Sequence, residues 1–244
     1  MEPEEYQRLA ELEDRMWYFR ALHGHCLRLL RARLGTGPCA VLDAGCGTGG
    51  LIRHLTAHVP AWSLTGLDLS PLACERAARR CRARIVQGPA AALPFPDGAF
   101  AAVVAADLLY ALDDPGAALR EFRRGLRPGG WVVVDVPAYR WLRSRHDAAV
   151  HGRHRFVRRE VAELLRAAGF AVEYCTHWNA LSFPLIVIRR KILGNFGPAS
   201  DVQPQPAPVE AALRGLMALE AAWLRLGGRW AWGCSILAVG RRPA

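Results

Sequence analysis

Apolar positions in this chain follow two periods, and the change from one to the other organises it. Tyr6, Leu9, Leu12, Met16 and Phe19, continued by Leu22, Cys26, Leu29 and Leu30, recur at helical spacing and predict a helix over 5–34. Gly35-Thr-Gly-Pro38 stops it. From Cys39 short apolar runs alternate with amphipathic stretches. Strands are predicted at 39–43, 63–68, 84–87, 100–106, 131–137, 171–178 and 233–241. Helices are predicted near 50–58, 71–82, 115–126 and 158–168. Asp114-Pro115 supplies an N-cap carboxylate and a proline at N1, while Arg127-Pro-Gly-Gly130 reads as a stop and turn. This alternation predicts an α/β, doubly wound, mainly parallel sheet with helices on both faces.

Two segments break the alternation. Residues 138–157 follow the fifth strand, and residues 180–232 separate the last two strands. The second holds an apolar stretch (181–192), a Pro/Gln-rich linker (197–208) and an amphipathic helix (209–226). Ligands of doubly wound sheets sit at the carboxyl ends of the strands, so insertions leaving from those ends would cover the pocket. The chain is therefore read as one domain, 1–244. Residues 1–36 form an N-terminal helical cap, 37–137 the ligand-binding core, and 138–157 with 180–232 a helical lid.

Composition narrows the class. The chain has 244 residues, 52% of them apolar, enough for one buried α/β core. The acidic start, MEPEEYQRLAELED, is not a secretory signal. The longest stretch without Asp, Glu, Lys or Arg is Tyr174–Ile188, short for a membrane span. Seven scattered cysteines form no CxxC pair, which predicts neither zinc nor disulfides and suits a cytoplasmic setting. The net charge is +10, nearly all of it arginine, and Lys191 is the sole lysine. Charge alone leaves open base-composition bias, nucleic acid, acidic lipid or a small anionic acceptor.

Residues 41–50, VLDAGCGTGG, carry the chemistry. A strand ends at Asp43, glycines follow at 45, 47, 49 and 50, and a helical pattern starts at once. Glycines there let backbone approach a ligand and supply turn angles a Cβ forbids. Gly45-x-Gly47-x-x-Gly50 also fits a dinucleotide fingerprint. Asp43 decides between the two: a carboxylate before the first glycine repels a pyrophosphate and suits a cation.

With Leu64-Thr-Gly-Leu-Asp68-Leu-Ser-Pro71, Ala92-Leu-Pro-Phe-Pro-Asp-Gly-Ala-Phe100 and Leu126-Arg-Pro-Gly-Gly130 in order, the chain resembles class I S-adenosylmethionine-dependent methyltransferases with a UbiE-like core, over roughly 10–179. The resemblance implies a Rossmann-like seven-stranded sheet, six strands parallel and the last antiparallel. It implies S-adenosylmethionine as cofactor, S-adenosylhomocysteine as product, and a small organic acceptor methylated on O, N, S or C. It also assigns roles. Asp43, Gly45, Cys46 and Gly47 would hold the methionine portion, and Asp68 both ribose hydroxyls. Leu69 would lie against the adenine, with Ala90 and Ala91 at its edge. Ala106 would offer a carbonyl to the ammonium, and Asp107 and Tyr110 would face the methyl. Tyr18 and Arg20 would close over the cofactor. Pro89 and Ala101 stand where the family usually has acids, which keeps a catalytically weak cofactor-binding protein as an alternative.

A base is required only for a protonated acceptor, and His146, His151 and His154 in the first insertion are candidates. His146 leads, with His154 and Tyr110 as further catalytic residues. Tyr139, His151, Arg155 and Asn179 would line the acceptor pocket. The i, i+5, i+8 histidine spacing matches no metal helix, and no metal is expected. Asp107-Leu-Leu-Tyr110 is not the Asp-Pro-Pro-Tyr turn of amino-group DNA methylation, and one lysine excludes a Lys-Asp-Lys-Glu ribose enzyme. Nucleic acid is accordingly not expected as a partner. A monomer or homodimer acting on a small molecule is, with a lipid-like acceptor and peripheral membrane contact through 181–193 as the alternative.

Overall fold

The computed structural model describes residues 1–191 and 200–244. In chain order the elements are α1 (Pro3–Leu12), α2 (Trp17–Leu34), β1 (Cys39–Ala44), α3 (Gly50–His58), β2 (Trp62–Asp68), α4 (Pro71–Arg80), β3 (Arg84–Gln87), β4 (Phe100–Ala106), α5 (Pro115–Gly125), β5 (Leu126–Pro137), α6 (Arg145–Ala149), α7 (Arg158–Ala167), β6 (Ala171–Trp178), α8 (Phe183–Lys191), α9 (Ala207–Arg225) and β7 (Ser235–Arg241). The sheet order is β3-β2-β1-β4-β5-β7-β6. Strand β7 runs antiparallel to both neighbours and the other six are parallel, as the resemblance implied.

Side chains alternate across the sheet because successive strand residues point to opposite faces. Leu42, Val103, Val132 and Val134 pack with Leu119 and Phe122 of α5. Val41, Ala102, Val104 and Val133 pack with Cys26, Leu29 and Leu30 of α2. Both faces of the central strands are thus buried, which is why they read as continuous apolar runs.

Local differences from the pattern have physical causes. The long N-terminal helix is two helices, because the chain turns at 13–16. Glu13 points inward there, accepting from the Thr48 hydroxyl at 2.6 Å and pairing with Arg80. The Leu126–Gly130 turn is instead the start of β5, with Leu126 opposite Phe100 and a register shift before Ala102. Asp114 and Ser70 cap α5 and α4 through the Ala117 and Ala73 amides. The apolar stretch predicted at 181–192 is helix α8 up to Lys191. Ile192, and the first part of the linker predicted at 197–208, lie outside the described residues.

Candidate functional site

The carboxyl ends of β1, β2 and β4 open into one cavity of about 500 Å³, within the range of ligand sites. Gly45 turns the chain out of β1 at φ +76°, and its amide and that of Cys46 both bond the Leu67 carbonyl, at 2.7 and 3.0 Å. A Cβ on Gly45 would press on Leu108 at 2.9 Å. Gly47, at φ +53°, donates its amide to Asp68 Oδ2 at 2.9 Å. The Ser70 amide holds the other carboxylate oxygen, also at 2.9 Å. Asp68 therefore has a fixed orientation at the lip of the cavity before any ligand arrives.

Carboxylates dominate this floor. Burial pushes Asp43 up to about 8, and the negative charges of Asp68 and Glu13 add to that. No hydrogen-bond donor satisfies the Asp43 carboxylate among the described residues. Burial also raises Asp68 and Glu13. Asp107, at φ +49°, is raised to about 6 by burial, while the Tyr18 hydroxyl that donates to it at 2.9 Å works the other way. Each shift means that charge costs more here than in water: burial outweighs the Arg80 partner of Glu13 and the attraction of Arg155 for Asp107.

The arginines that line the cavity are already paired. Arg155 forms a buried bidentate pair with Asp147, 2.7 and 3.1 Å, and donates to the Ala138 carbonyl at 2.9 Å. Arg189 and Arg190 both bind Asp201. The opposite wall is apolar, with Leu9 from α1, Leu185 and Ile186 from α8, and Val209 and Leu213 from α9. The lid parts are tied together. Ser200 donates to Glu5 at 2.7 Å, and Arg190 donates to the Leu142 carbonyl at 3.0 Å.

Tyr18, Asp43, Gly45, Cys46, Gly47, Asp68, Ala106, Asp107, Tyr110, His146, Arg155 and Asn179 all line this one cavity. His146 is half-buried, its Nδ1 is buried without a partner, and burial lowers its pKa, which favours the neutral ring. Asn179, at φ +58°, accepts from the Ser182 hydroxyl.

Seven expected residues fall elsewhere. Leu69 is 67% exposed, and Ala90 and Ala91 are off the cavity lining, to which α1 contributes Tyr6 and Leu9. Arg20 faces a neighbouring recess with His23, Arg53 and His54. His151 is an exposed clasp, bonded to Glu2 at 2.7 Å and to the terminal amine at 3.2 Å. His154 packs on Phe156, and its amide binds the Tyr110 carbonyl. Tyr139 stacks on His177 and Trp141, outside the cavity. Among the described residues no group of three or more His, Cys, Asp or Glu is arranged to hold a metal.

Three residues went unassigned in the sequence. Glu13 clamps the glycine turn. Asp135 is fully buried in β5, takes the Trp178 indole N–H at 2.5 Å and leaves Oδ2 unpartnered. Glu220 of α9 accepts the Asn179, Ala180 and Leu181 amides. A lone acid inside Val-Val-Val-Asp135-Val was the available signal for Asp135.

Residues 41–130 match the family model described as a methyltransferase domain. The demethylmenaquinone methyltransferase of Thermus thermophilus is 38% identical over 112 residues, 44% of this chain and 51% of that protein. The malonyl-[acyl-carrier protein] O-methyltransferase of Dechloromonas aromatica is 36% identical over 109 residues, 45% of this chain and 40% of that one. The chain thus spans about half the length of the curated relatives it matches. A solved chain from a complex between the Haloferax volcanii Trm112 methyltransferase activator and a methyltransferase candidate superposes with TM-score 0.64 at 24% identity, covering 98% of each chain. Fold and matched segment point to one class: residues 41–130 match a methyltransferase domain and lie in a Rossmann-like sheet, the arrangement of the class I S-adenosylmethionine-dependent methyltransferases that the chain resembles. The cofactor of that class is S-adenosylmethionine, whose sulfonium and ammonium suit a floor of unmatched carboxylates.

Proposed function

We propose that this chain moves a methyl group from S-adenosylmethionine to a small organic acceptor with an apolar body, inside the lidded cavity. One observation carries the reading: Asp43, Asp68 and Asp107 line a cavity whose arginines are already paired with other acids, which leaves these three carboxylates for a cationic ligand. When bound, the cofactor supplies an activated methyl on a positively charged sulfur. Asp68 is suited to the ribose hydroxyls, and the Gly45–Gly47 backbone with Asp43 to the methionine portion. Ala106 ends β4 at the same lip, where its carbonyl suits an ammonium. Asp107, oriented by Tyr18, lies beside it.

The remaining task is to position the acceptor and exclude water, which contributes on the order of 7–11 kcal/mol in well-oriented reactions. His146 is neutral and free at Nδ1, so it accepts a proton if the acceptor carries one. Leu185, Ile186, Val209 and Leu213 favour an acceptor with a hydrocarbon or ring surface. The cysteines of the described residues are all unpaired, and we place the reaction in the cytoplasm. Labelled-methyl transfer into organic extracts of cells tests the activity. Incorporation that vanishes in Asp68→Ala supports it, and no turnover despite tight cofactor binding leaves a non-catalytic binding protein.

A further inference from the structure

The outward face of α9 carries no charge along its centre. Met217, Glu220 and Leu224 point inward and are buried. The exposed positions opposite them are Ala211, Gly215, Ala218, Leu219, Ala222 and Leu226, with Trp223 beside them. Leu219 is 65% exposed, Trp223 48% and Leu226 86%. A soluble surface helix normally shows its polar side to water. Here the charges sit on the flanks: Arg214 pairs with Glu210, and Arg225 is exposed without an acidic partner among the described residues. Trp232 extends the surface beyond the helix end, and exposed Arg229 lies over the Tyr174 ring.

The other end of α9 meets the cavity. Val209 is 43% exposed and Leu185 of α8 57%, and both also line the cavity, so they form its rim. Ile188 and Trp141 continue the apolar rim outward, with the Lys191 ammonium over the Trp141 ring. Exposed apolar side chains with cations at their borders therefore mark both the cavity rim at the start of α9 and its outward face, along about 25 Å of one helix.

We propose that this surface docks the protein on an anionic lipid bilayer, with α9 lying in the interface and the cavity mouth opening toward the membrane. Exposed apolar surfaces of this extent mark interaction sites. Apolar face, interfacial tryptophans and flanking arginines are the composition that an interfacial helix requires. Charge chooses the occupant. A second copy would bring two chains of net charge +10 together along basic rims, whereas anionic headgroups complement them. The inference deepens the proposed function by naming where an apolar acceptor comes from, yet the docking itself needs no methyl transfer.

Vesicle flotation of the full chain tests it, comparing phosphatidylcholine vesicles with vesicles that also contain phosphatidylglycerol. The chain should float with the anionic vesicles and much less in about 0.5 M salt. Leu219→Ser and Leu226→Ser together should weaken flotation at least about tenfold, with the melting temperature and S-adenosylmethionine affinity unchanged. Arg225→Glu with Arg229→Glu, which leaves the apolar face intact, should abolish the preference for anionic vesicles. Equal flotation of both variants and parent overturns the proposal. So does a parent that ignores anionic vesicles, including one that forms a dimer which the serine variant dissociates. Vesicle binding without any cofactor binding sustains the docking and sinks the methyl-transfer reading instead.

Discussion

Binding a cation beside Asp43 should expel a proton. The carboxyl is buried, and its pKa stands at about 8 because burial and the Asp68 and Glu13 carboxylates oppose its charge. At pH 7 a group with that value is about 90% protonated. A sulfonium and an ammonium in the same cavity favour the ionised form and return the pKa toward its usual range. Cofactor binding at pH 7 should therefore release about 0.9 proton per chain. The binding constant should rise by nearly tenfold for each pH unit from about 5 to about 7.5, then level off above 8. Asp107, at about 6, adds to the slope only below pH 6.

The same shift sets the stability of the ligand-free chain. An acid whose folded pKa lies above its unfolded value holds more protons folded than unfolded. Its contribution is present at low pH and is lost as pH rises from about 4 to about 8, at up to 1.4 kcal/mol per unit, roughly 6 kcal/mol in all. Calorimetric titration at pH 7 in phosphate and in Tris separates the two heats of buffer protonation and counts the protons. Asp43→Asn should bring the count near zero, weaken binding, and remove the alkaline loss of stability. Binding heats that are identical in both buffers would refute the electrostatic reasoning, because they would mean that Asp43 does not change its protonation when the cofactor arrives.

Other substitutions test single parts. Arg155→Met strands the Asp147 carboxylate in a buried site and should cost about 3–5 kcal/mol, read by urea unfolding. Glu220→Ala removes the acceptor of three backbone amides at the base of α8 and should cost about 2–4 kcal/mol, with a raised KM for the acceptor from a loosened lid wall. His146→Gln should lower kcat about 100-fold or more for a protonated acceptor and leave cofactor affinity unchanged in direct binding. An unaltered kcat would remove it as a base. Trp178→Phe leaves Asp135 without its donor and should lower stability by about 1–3 kcal/mol, measured as a fall in melting temperature.

Periodicity made the sheet legible. Each strand was bracketed to within a few residues because both faces of the central strands are buried and turn residues punctuate them. What periodicity missed is tertiary in origin. The helix break at 13–16 depends on Glu13 reaching Thr48 and Arg80, residues distant in sequence. An amphipathic pattern continues through such a turn because Leu12 and Met16 stay buried on either side of it.

The glycine-turn residues could be grouped from sequence because one short segment builds them, so local spacing sets their placement. The placement of Leu69, Ala90 and Ala91 depended on what covers the strand ends, and there α1 puts Tyr6 and Leu9 into the lining. The three histidines were near each other in sequence, but the capping box of Ser144 with Asp147 and the Asp147–Arg155 pair fold their loop so that only His146 turns inward. His151 and His154 are left on the outside by the same bonds. A motif closed by neighbouring backbone is therefore readable from sequence, whereas a wall assembled from α1, α6, α8 and α9 is not. Under the proposed function the residues that would choose the acceptor lie in that wall, so acceptor chemistry has to be sought there and cannot be read from the glycine turn.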